Sequence, residues 1–372
     1  MRHFAYFAGF RCFPVWLCSM TSITTNIPSR LKCSGVITFA RLFQRKEVPV
    51  LISLIAPAYN EEGNIVPFAR SVASAFKDLP GGGTCELVFV EDGSSDHTLS
   101  AMRSVFDDSY IKESSLIVRV VEFSRNFGKE AAIYAGLEHS SGDICVLIDT
   151  DMQQPPAIAR QMVDILLDDK QRCFDCVAAY QEQRKRGHLR NWCSSMFYRV
   201  LGASSGMDVL ADASDFRAFR ANVRDALLGM TEYFRFSKGL FSWIGFKTKA
   251  FPYTPDDRLT GETTWSFWKL AKYAINGLMS FSTFPLRIAT WLGAVASTLA
   301  IIYMVIVVSQ RLLFGVDVPG YATIVSLVLL LGGLQLLVLG VMGEYLSRVY
   351  TQGKKRPIYI KRSCSSNRDG WH

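Results

Sequence analysis

The sequence predicts an α/β fold: an open, parallel sheet that leads into a C-terminal pair of membrane-spanning helices. Three observations predict it. Short apolar strands alternate with helical patterns at intervals of about 30 residues, the rhythm of right-handed βαβ crossovers. The first four strands each run directly into a polar or acidic cluster. Residues 288–310 and 318–343 contain no Asp, Glu, Lys, Arg or His. A helix over the first of these runs spans roughly 34 Å, against a hydrocarbon core of about 30 Å. A very hydrophobic buried hairpin is the other structure such runs can form.

Residues 1–50 carry seven Lys or Arg and one acid, and the apolar patch Phe4 to Phe10 is broken by Arg11. The segment fits a membrane-surface arm, a transit-like leader, or an extension ahead of a start at Met20. Strand character then covers Leu51 to Ala56, and a helical pattern runs from Asn64 to Leu79, broken by Pro80-Gly81-Gly82-Gly83. Glu86 to Val90 reads as a strand, Thr98 to Phe106 as a helix, Leu116 to Phe123 as a strand and Glu130 to Glu138 as a helix. Ile144 to Ile148 is the fourth strand and Cys176 to Tyr180 the fifth. Leu189 to Leu201 reads as helical, and Asp215-Phe216-Arg217 as the approach to a further helix.

Right-handed crossovers place the carboxyl ends of parallel strands along one edge, where open α/β sheets bind ligands. Tyr59 with Glu61, Asp92, Arg125 with Lys129, and Asp149 with Asp151 should therefore converge on one crevice. In Asp149-Thr150-Asp151-Met152-Gln153, two carboxylates one residue apart and an amide oxygen supply hard oxygen ligands. These suit Mg²⁺ or Mn²⁺ holding a diphosphate. The same residues also fit two solvated aspartates in a turn before Pro155-Pro156. Asp92 can accept hydrogen bonds from a base or ribose. Gly93-Ser94 opens a helix, whose N-terminus favours anions.

Arg184-Lys185-Arg186, continued by His188 and Arg190, forms a basic stretch. Arg235 to Ile244 alternates basic and apolar residues, suiting a helix with an apolar face at a membrane. Over 262–285 aromatic residues interleave with Lys269 and Lys272, as in a helix lying in the interface plane. A buried core helix is the alternative there. The loop 311–317 carries one Arg and one Asp, whereas Arg287, Arg348, Lys354, Lys355, Arg356, Lys361 and Arg362 lie on the other side. The positive-inside rule then places both ends in the cytoplasm.

The chain is 49% hydrophobic with net charge +8. The basic excess lies beside the apolar segments and in the N-terminal arm, which favours lipid phosphate over nucleic acid, for which no module is present. Nine Cys and five His form no zinc pattern, and Cys173-x-x-Cys176 has no second pair. Cys85 and Cys145 read as small core residues, and nothing suggests a disulfide framework.

The runs Pro57-Ala58-Tyr59-Asn60-Glu61-Glu62, Glu91-Asp92-Gly93-Ser94, Ser124-Arg125-Asn126-Phe127-Gly128-Lys129-Glu130 and Asp149-Thr150-Asp151-Met152-Gln153 together resemble family 2 glycosyltransferases of the GT-A, Rossmann-like fold. The stretches Ser280 to Arg287, Gly343-Glu344-Tyr345-Leu346 and Lys355-Arg356-Pro357-Ile358-Tyr359 resemble the bactoprenol glucosyltransferases. Dolichol-phosphate mannosyltransferases are more distant relatives. The resemblance covers about residues 51–362 and implies inverting transfer of a sugar, UDP-glucose being the first-choice donor, to a polyprenyl phosphate at the cytoplasmic membrane face. By position, Pro57, Tyr59, Glu61, Asp92 and Arg258 hold the nucleotide sugar. Arg217, Arg235 and Lys238 meet the acceptor or its phosphate, and Asp149, Asp151 and Gln153 bind Mg²⁺ or Mn²⁺. The chain then divides into a basic arm at 1–50, a catalytic domain at 51–255, an interfacial helix region at 256–287, two spans within 288–343 and a basic cytoplasmic tail at 344–372. Relatives assemble through their membrane helices, which implies a homo-oligomer.

Three positions depart from that pattern: Gln154 where an acid or His is common, Thr264 where Lys is common, and Tyr180 near which a basic residue is common. They leave open another donor, such as an N-acetylglucosamine, aminoarabinose or mannose nucleotide, and a non-catalytic scaffold of the same fold. A processive polysaccharide synthase is disfavoured, because the Gln-x-x-Arg-Trp motif and further spans are absent.

Overall fold

A computed structural model describes residues 49–169, 171–181, 213–254, 279, 282–314 and 320–368. The N-terminal arm, the basic stretch from Arg184, the helical pattern of Leu189 to Leu201, Arg258, Thr264 and most of the 256–287 region lie outside them. Eight strands form one sheet in the order β7-β5-β6-β4-β1-β2-β3-β8. The strands are β1 (Leu51–Ala58), β2 (Thr84–Glu91), β3 (Ile117–Phe123), β4 (Ile144–Leu147), β5 (Cys176–Gln181), β6 (Ala213–Arg220), β7 (Thr248–Tyr253) and β8 (Lys361–Ser366). Helices α1 (Ile65–Ala75), α2 (Thr98–Val105), α3 (Ser109–Glu113), α4 (Lys129–Glu138) and α5 (Pro156–Asp168) connect the first five strands. Helices α6 (Ala221–Leu228) and α7 (Ser237–Trp243) follow β6.

The first four strands are parallel, as their near-continuous apolar runs predict: Ile52 to Ala56 and Cys85 to Val90 are buried on both faces. The chain winds outward through β1, β2 and β3, then returns to place β4 on the other side of β1. That reversal opens a crevice at the carboxyl ends of β1 and β4. One core layer packs Phe68, Met102 and Val163 beneath one face of the sheet. The other packs Ile133, Phe219, Val223 and Phe241 against the opposite face. Cys85, Cys145 and Cys176 are buried free thiols, and burial pushes Cys145 and Cys176 up to about 11.

The sheet is mixed, where the sequence suggested parallel strands alone. Residues 213–220, read as the approach to a helix, form β6, which runs antiparallel between β4 and β5. Alternation of Asp215, Arg217 and Arg220 with Phe216 and Phe219 disguised a strand whose core is nevertheless buried. The segment read as a basic tail also contributes to the fold. Residues 344–353 complete a helix, and 361–366 pair antiparallel with β3. Glu122 fastens this edge, accepting from Arg362 Nη1 at 3.2 Å and Ser363 Oγ at 2.9 Å. Strand β8 thus covers an otherwise open sheet edge. In α7 the apolar side faces inward rather than toward a membrane: Leu240 and Phe241 are buried and Phe241 meets Phe219 edge-on at 5.2 Å, leaving Trp243 outside.

Two long helices, α8 (Phe284–Phe314) and α9 (Tyr321–Gly353), carry the uncharged runs and pack on each other. Their apolar side chains are largely exposed rather than packed in the α/β core, which fits a membrane hairpin. The hydroxyl of Tyr345 donates to Ser282 O at 2.8 Å, and Gln352 bonds the backbone of Thr231 and Tyr233. The last turns of α9 are therefore held against the α/β domain.

Candidate active site

Asp149 and Asp151 follow β4 directly. Gln154 clamps Asp149 from both ends: its Nε2 donates to Asp149 Oδ2 at 3.0 Å, and its Oε1 accepts from Asp149 N at 2.9 Å. The other carboxylate oxygen, Oδ1, lies 2.6 Å from Lys129 Nζ, which also reaches Asp215 Oδ2 at 4.0 Å. Lys129 is the first residue of α4, so the helix start presents its ammonium to the end of β4. Partial desolvation pushes that half-exposed ammonium down, but Asp149 and Asp215 outweigh it and hold it above its ordinary value. Asp151 Oδ1 accepts from Gln153 N at 3.1 Å, closing a tight turn in which Met152 takes a φ of 61°. The sequence grouped Lys129 with the crevice without assigning it a role, and it gave none to Asp215 or to Gln154's grip on Asp149. Gln154 stands out in the sequence as a departure from the family pattern, but nothing local assigns its amide to Asp149.

The ends of β1 and β2 are laced together. Asn60 Oδ1 accepts from Ser95 N at 2.9 Å, Glu62 Oε2 from His97 N at 2.9 Å, and Thr98 Oγ1 from Glu61 N at 2.8 Å. Asn64 Nδ2 donates to Glu61 Oε2 at 2.5 Å. Pro57 is half-buried, while the ring of Tyr59 is 48% exposed at the lip, a flat surface able to stack on a base. Asp92 turns toward the β3–α4 loop: its carboxylate accepts from Phe127 N at 2.7 Å and Gly128 N at 2.9 Å. Gly93 lies beneath that loop with a φ of 64°, and a Cβ there would collide with the backbone of Arg125 and Asn126.

Of the cations named from the sequence, Arg217 is buried on β6 beside β4, with its guanidinium 4.6 Å from the Phe241 ring centre. Lys238 is half-buried in the first turn of α7. That turn is tied to the start of α4, since Ser237 N donates to both carboxylate oxygens of Glu130 at 3.1 and 3.0 Å. Arg235 faces elsewhere: it donates to Met230 O and to Leu227 O and stacks 4.7 Å from the Tyr134 ring centre. The structure therefore gathers Asp149, Asp151, Gln153, Lys129 and Asp215 around one strand end and sets Arg235 along α4.

The donor set fits a divalent cation. It consists of oxygens, as a hard cation prefers, although the ammonium of Lys129 holds the positive charge at Asp149 and no cluster of three or more His, Cys, Asp or Glu among the described residues is arranged to hold a metal ion. Because Gln154 Nε2 orients the Oδ2 side of Asp149, Gln154→Ala is expected to weaken Mn²⁺ binding about 10- to 100-fold. Titration followed by Mn²⁺ paramagnetic resonance checks this.

Burial, opposed by the amides of Phe127 and Gly128, pushes Asp92 up to about 6. A raised carboxyl binds a proton more readily in the fold. Its contribution to stability is thus complete at low pH and is lost as pH rises through about 6. Its hydrogen bonds run the other way, because protonation removes acceptor strength from the loop that carries Lys129. Any rate that depends on Lys129 is expected to show an acid limb with a midpoint of about 6. Asp92→Asn, uncharged at every pH, should lack that limb in a rate profile from pH 5 to pH 8.

A family model described as glycosyl transferase family 2 matches residues 53–227, and a GtrB C-terminal hairpin model matches 284–349. The chain is 37% identical over 310 residues to the prophage bactoprenol glucosyl transferase homolog of Escherichia coli K12, covering 83% of this chain and 97% of that protein. It is 35% identical over 310 residues to the bactoprenol glucosyl transferase of Shigella phage SfV, with 83% and 97% coverage. An uncharacterized glycosyltransferase of Synechocystis is 35% identical over 310 residues, with 83% and 94% coverage. Among solved structures, glucosyl-3-phosphoglycerate synthase of Mycobacterium tuberculosis, determined with Mn²⁺, UDP and glucosyl-3-phosphoglycerate, aligns at TM-score 0.43 and 20% identity over 64% of this chain and 81% of that one. The chain belongs to glycosyltransferase family 2. It is a hexosyltransferase with a GT-A-like sheet and a C-terminal hairpin of the bactoprenol glucosyl transferase type.

Proposed function

We propose that the chain transfers glucose from UDP-glucose to a polyprenyl phosphate at the cytoplasmic face of a membrane, inverting the anomeric carbon. The observation that carries this reading is the balanced carboxylate cluster at the β1/β4 switch point, on a chain that also holds two uncharged helices. In this reading Tyr59 stacks on the base and Pro57 and Glu61 shape its pocket. Asp92 fixes the loop that aims Lys129, and Arg258 meets the nucleotide sugar. Asp149, Asp151 and Gln153 would hold Mg²⁺ or Mn²⁺; when bound, such an ion stabilises charge developing on a leaving diphosphate. The acceptor phosphate is already anionic near pH 7, so no general base is required. Arg217 and Lys238 offset the repulsion between two phosphorylated substrates. The departure at Gln154 does not favour a scaffold, because its amide grips Asp149. The hairpin anchors the domain with both ends in the cytoplasm and provides the surface for a homo-oligomer.

Purified protein given UDP-glucose, Mg²⁺ and undecaprenyl phosphate is expected to yield a lipid heavier by one hexose in the mass spectrum. A screen of other nucleotide sugars identifies the donor if glucose is not transferred. No glycolipid with any common donor would overturn the proposal.

A further inference from the structure

Helix α9 stays apolar on one side almost to its end. Leu339, Met342, Leu346 and Val349, spaced three or four residues apart, and the adjacent Tyr350 are all exposed, so one lipid-facing stripe reaches the last turn before Gly353. Lys354 Nζ lies 4.2 Å from the Tyr350 ring centre, the pairing of cation and aromatic expected at head-group depth. Just beyond, the chain turns at Lys355, whose φ is 49°. It then borders a cleft of about 840 Å³ between α9, α4 and the segment leading to β8. The cleft shares no lining residue with the Asp149 crevice.

Its charges are unbalanced. Arg348 and Arg362, on either side in sequence, pair with Glu344 and Glu122 at 3.3 and 3.2 Å. Lys355, Arg356 and Lys361 all line the cleft and are exposed, and among the described residues none of them enters an ion pair. The one carboxylate lining the cleft among the described residues, Glu138, accepts from the Tyr359 hydroxyl at 2.5 Å and keeps a single negative charge against three positive ones. An excess of positive charge therefore surrounds a cavity large enough for a phosphodiester, at the depth where a helix leaves lipid. We propose that this cleft binds the phosphate of an anionic phospholipid, at a site separate from sugar transfer. The inference rests on the reading of α8 and α9 as membrane spans.

The test uses the full chain in mild detergent and in nanodiscs of phosphatidylglycerol or phosphatidylcholine, with bound lipid counted by native mass spectrometry. Wild type is expected to retain phosphatidylglycerol over phosphatidylcholine. Lys355→Gln/Arg356→Gln/Lys361→Gln should lose that retention by about tenfold or more, and Lys355→Arg/Arg356→Lys/Lys361→Arg should keep it. If the triple Gln variant fails to fold, Lys355→Gln/Arg356→Gln gives the same comparison without touching β8. Release of the lipid by millimolar inorganic phosphate would show that phosphate alone satisfies the site. Resistance to release would show that the lipid head group is needed; both support the assignment. Equal retention of the two lipids by wild type, or equal retention by wild type and a folded Gln variant, overturns it. Loss of the protein from vesicles in alkaline carbonate overturns the membrane reading instead, and this inference with it.

Discussion

Asp151→Asn is expected to lower sugar transfer by at least about a hundredfold while leaving the fold intact. The substitution removes one negative charge and one anionic oxygen from a set of hard ligands, yet it preserves shape. In the native turn, Asp151 Oδ1 accepts from Gln153 N at 3.1 Å, and an Asn Oδ1 accepts the same bond. The conformation at Met152, with a φ of 61°, is therefore kept. Circular dichroism should match wild type, Mn²⁺ binding should weaken, and turnover should fall with it. The outcome separates two uses of one fold. An enzyme that relies on the carboxylate pair loses turnover, whereas a scaffold retains its cellular role. Turnover within a few-fold of wild type would remove the metal-site reading of Asp149 and Asp151.

The placement of the candidate residues was legible where it follows directly from topology. Parallel strands with continuous apolar runs end in polar clusters, and right-handed crossovers leave those ends no option but one edge. That is why the sequence alone groups Tyr59, Glu61 and Asp149. What escaped was decided by contacts between segments distant in sequence. Asp215 approaches Lys129 only because β6 runs antiparallel beside β4, and β6 was hidden by charged residues on a strand whose neighbours cover it. Strand β8 depends on the chain returning from the membrane helices to the edge of β3, a pairing across more than two hundred residues that local pattern cannot specify. Arg235 was placed by its company of basic and apolar residues. Its guanidinium is instead consumed by backbone carbonyls and the Tyr134 ring, and burial pushes its ionisation down.

Lys129→Met should separate cation binding from catalysis. With its ammonium 2.6 Å from Asp149 and 4.0 Å from Asp215, Lys129 occupies by charge the position a divalent ion would take. Its side chain is 47% exposed, so solvent screens the attraction and the ammonium can leave at modest cost. Removing it leaves Asp149 and Asp215 without that counter-charge, and Mn²⁺ should bind several-fold more tightly. Transfer should nonetheless fall at saturating metal, because no cation at the start of α4 is left to meet phosphate. A residue that merely props the helix would move neither quantity in this opposed way, and Lys129→Arg, keeping the charge, should restore part of the rate without the gain in metal affinity. The effect should also be flat between about pH 8 and pH 9, above the midpoint of Asp92. The ammonium is held above its ordinary value of 10.5, so its contribution is complete below that value and is lost only as pH climbs past it. A Mn²⁺ affinity unchanged in Lys129→Met, measured by paramagnetic resonance across that range, would mean that Asp149 meets the metal through the oxygen Gln154 holds and that Lys129 never competes for it.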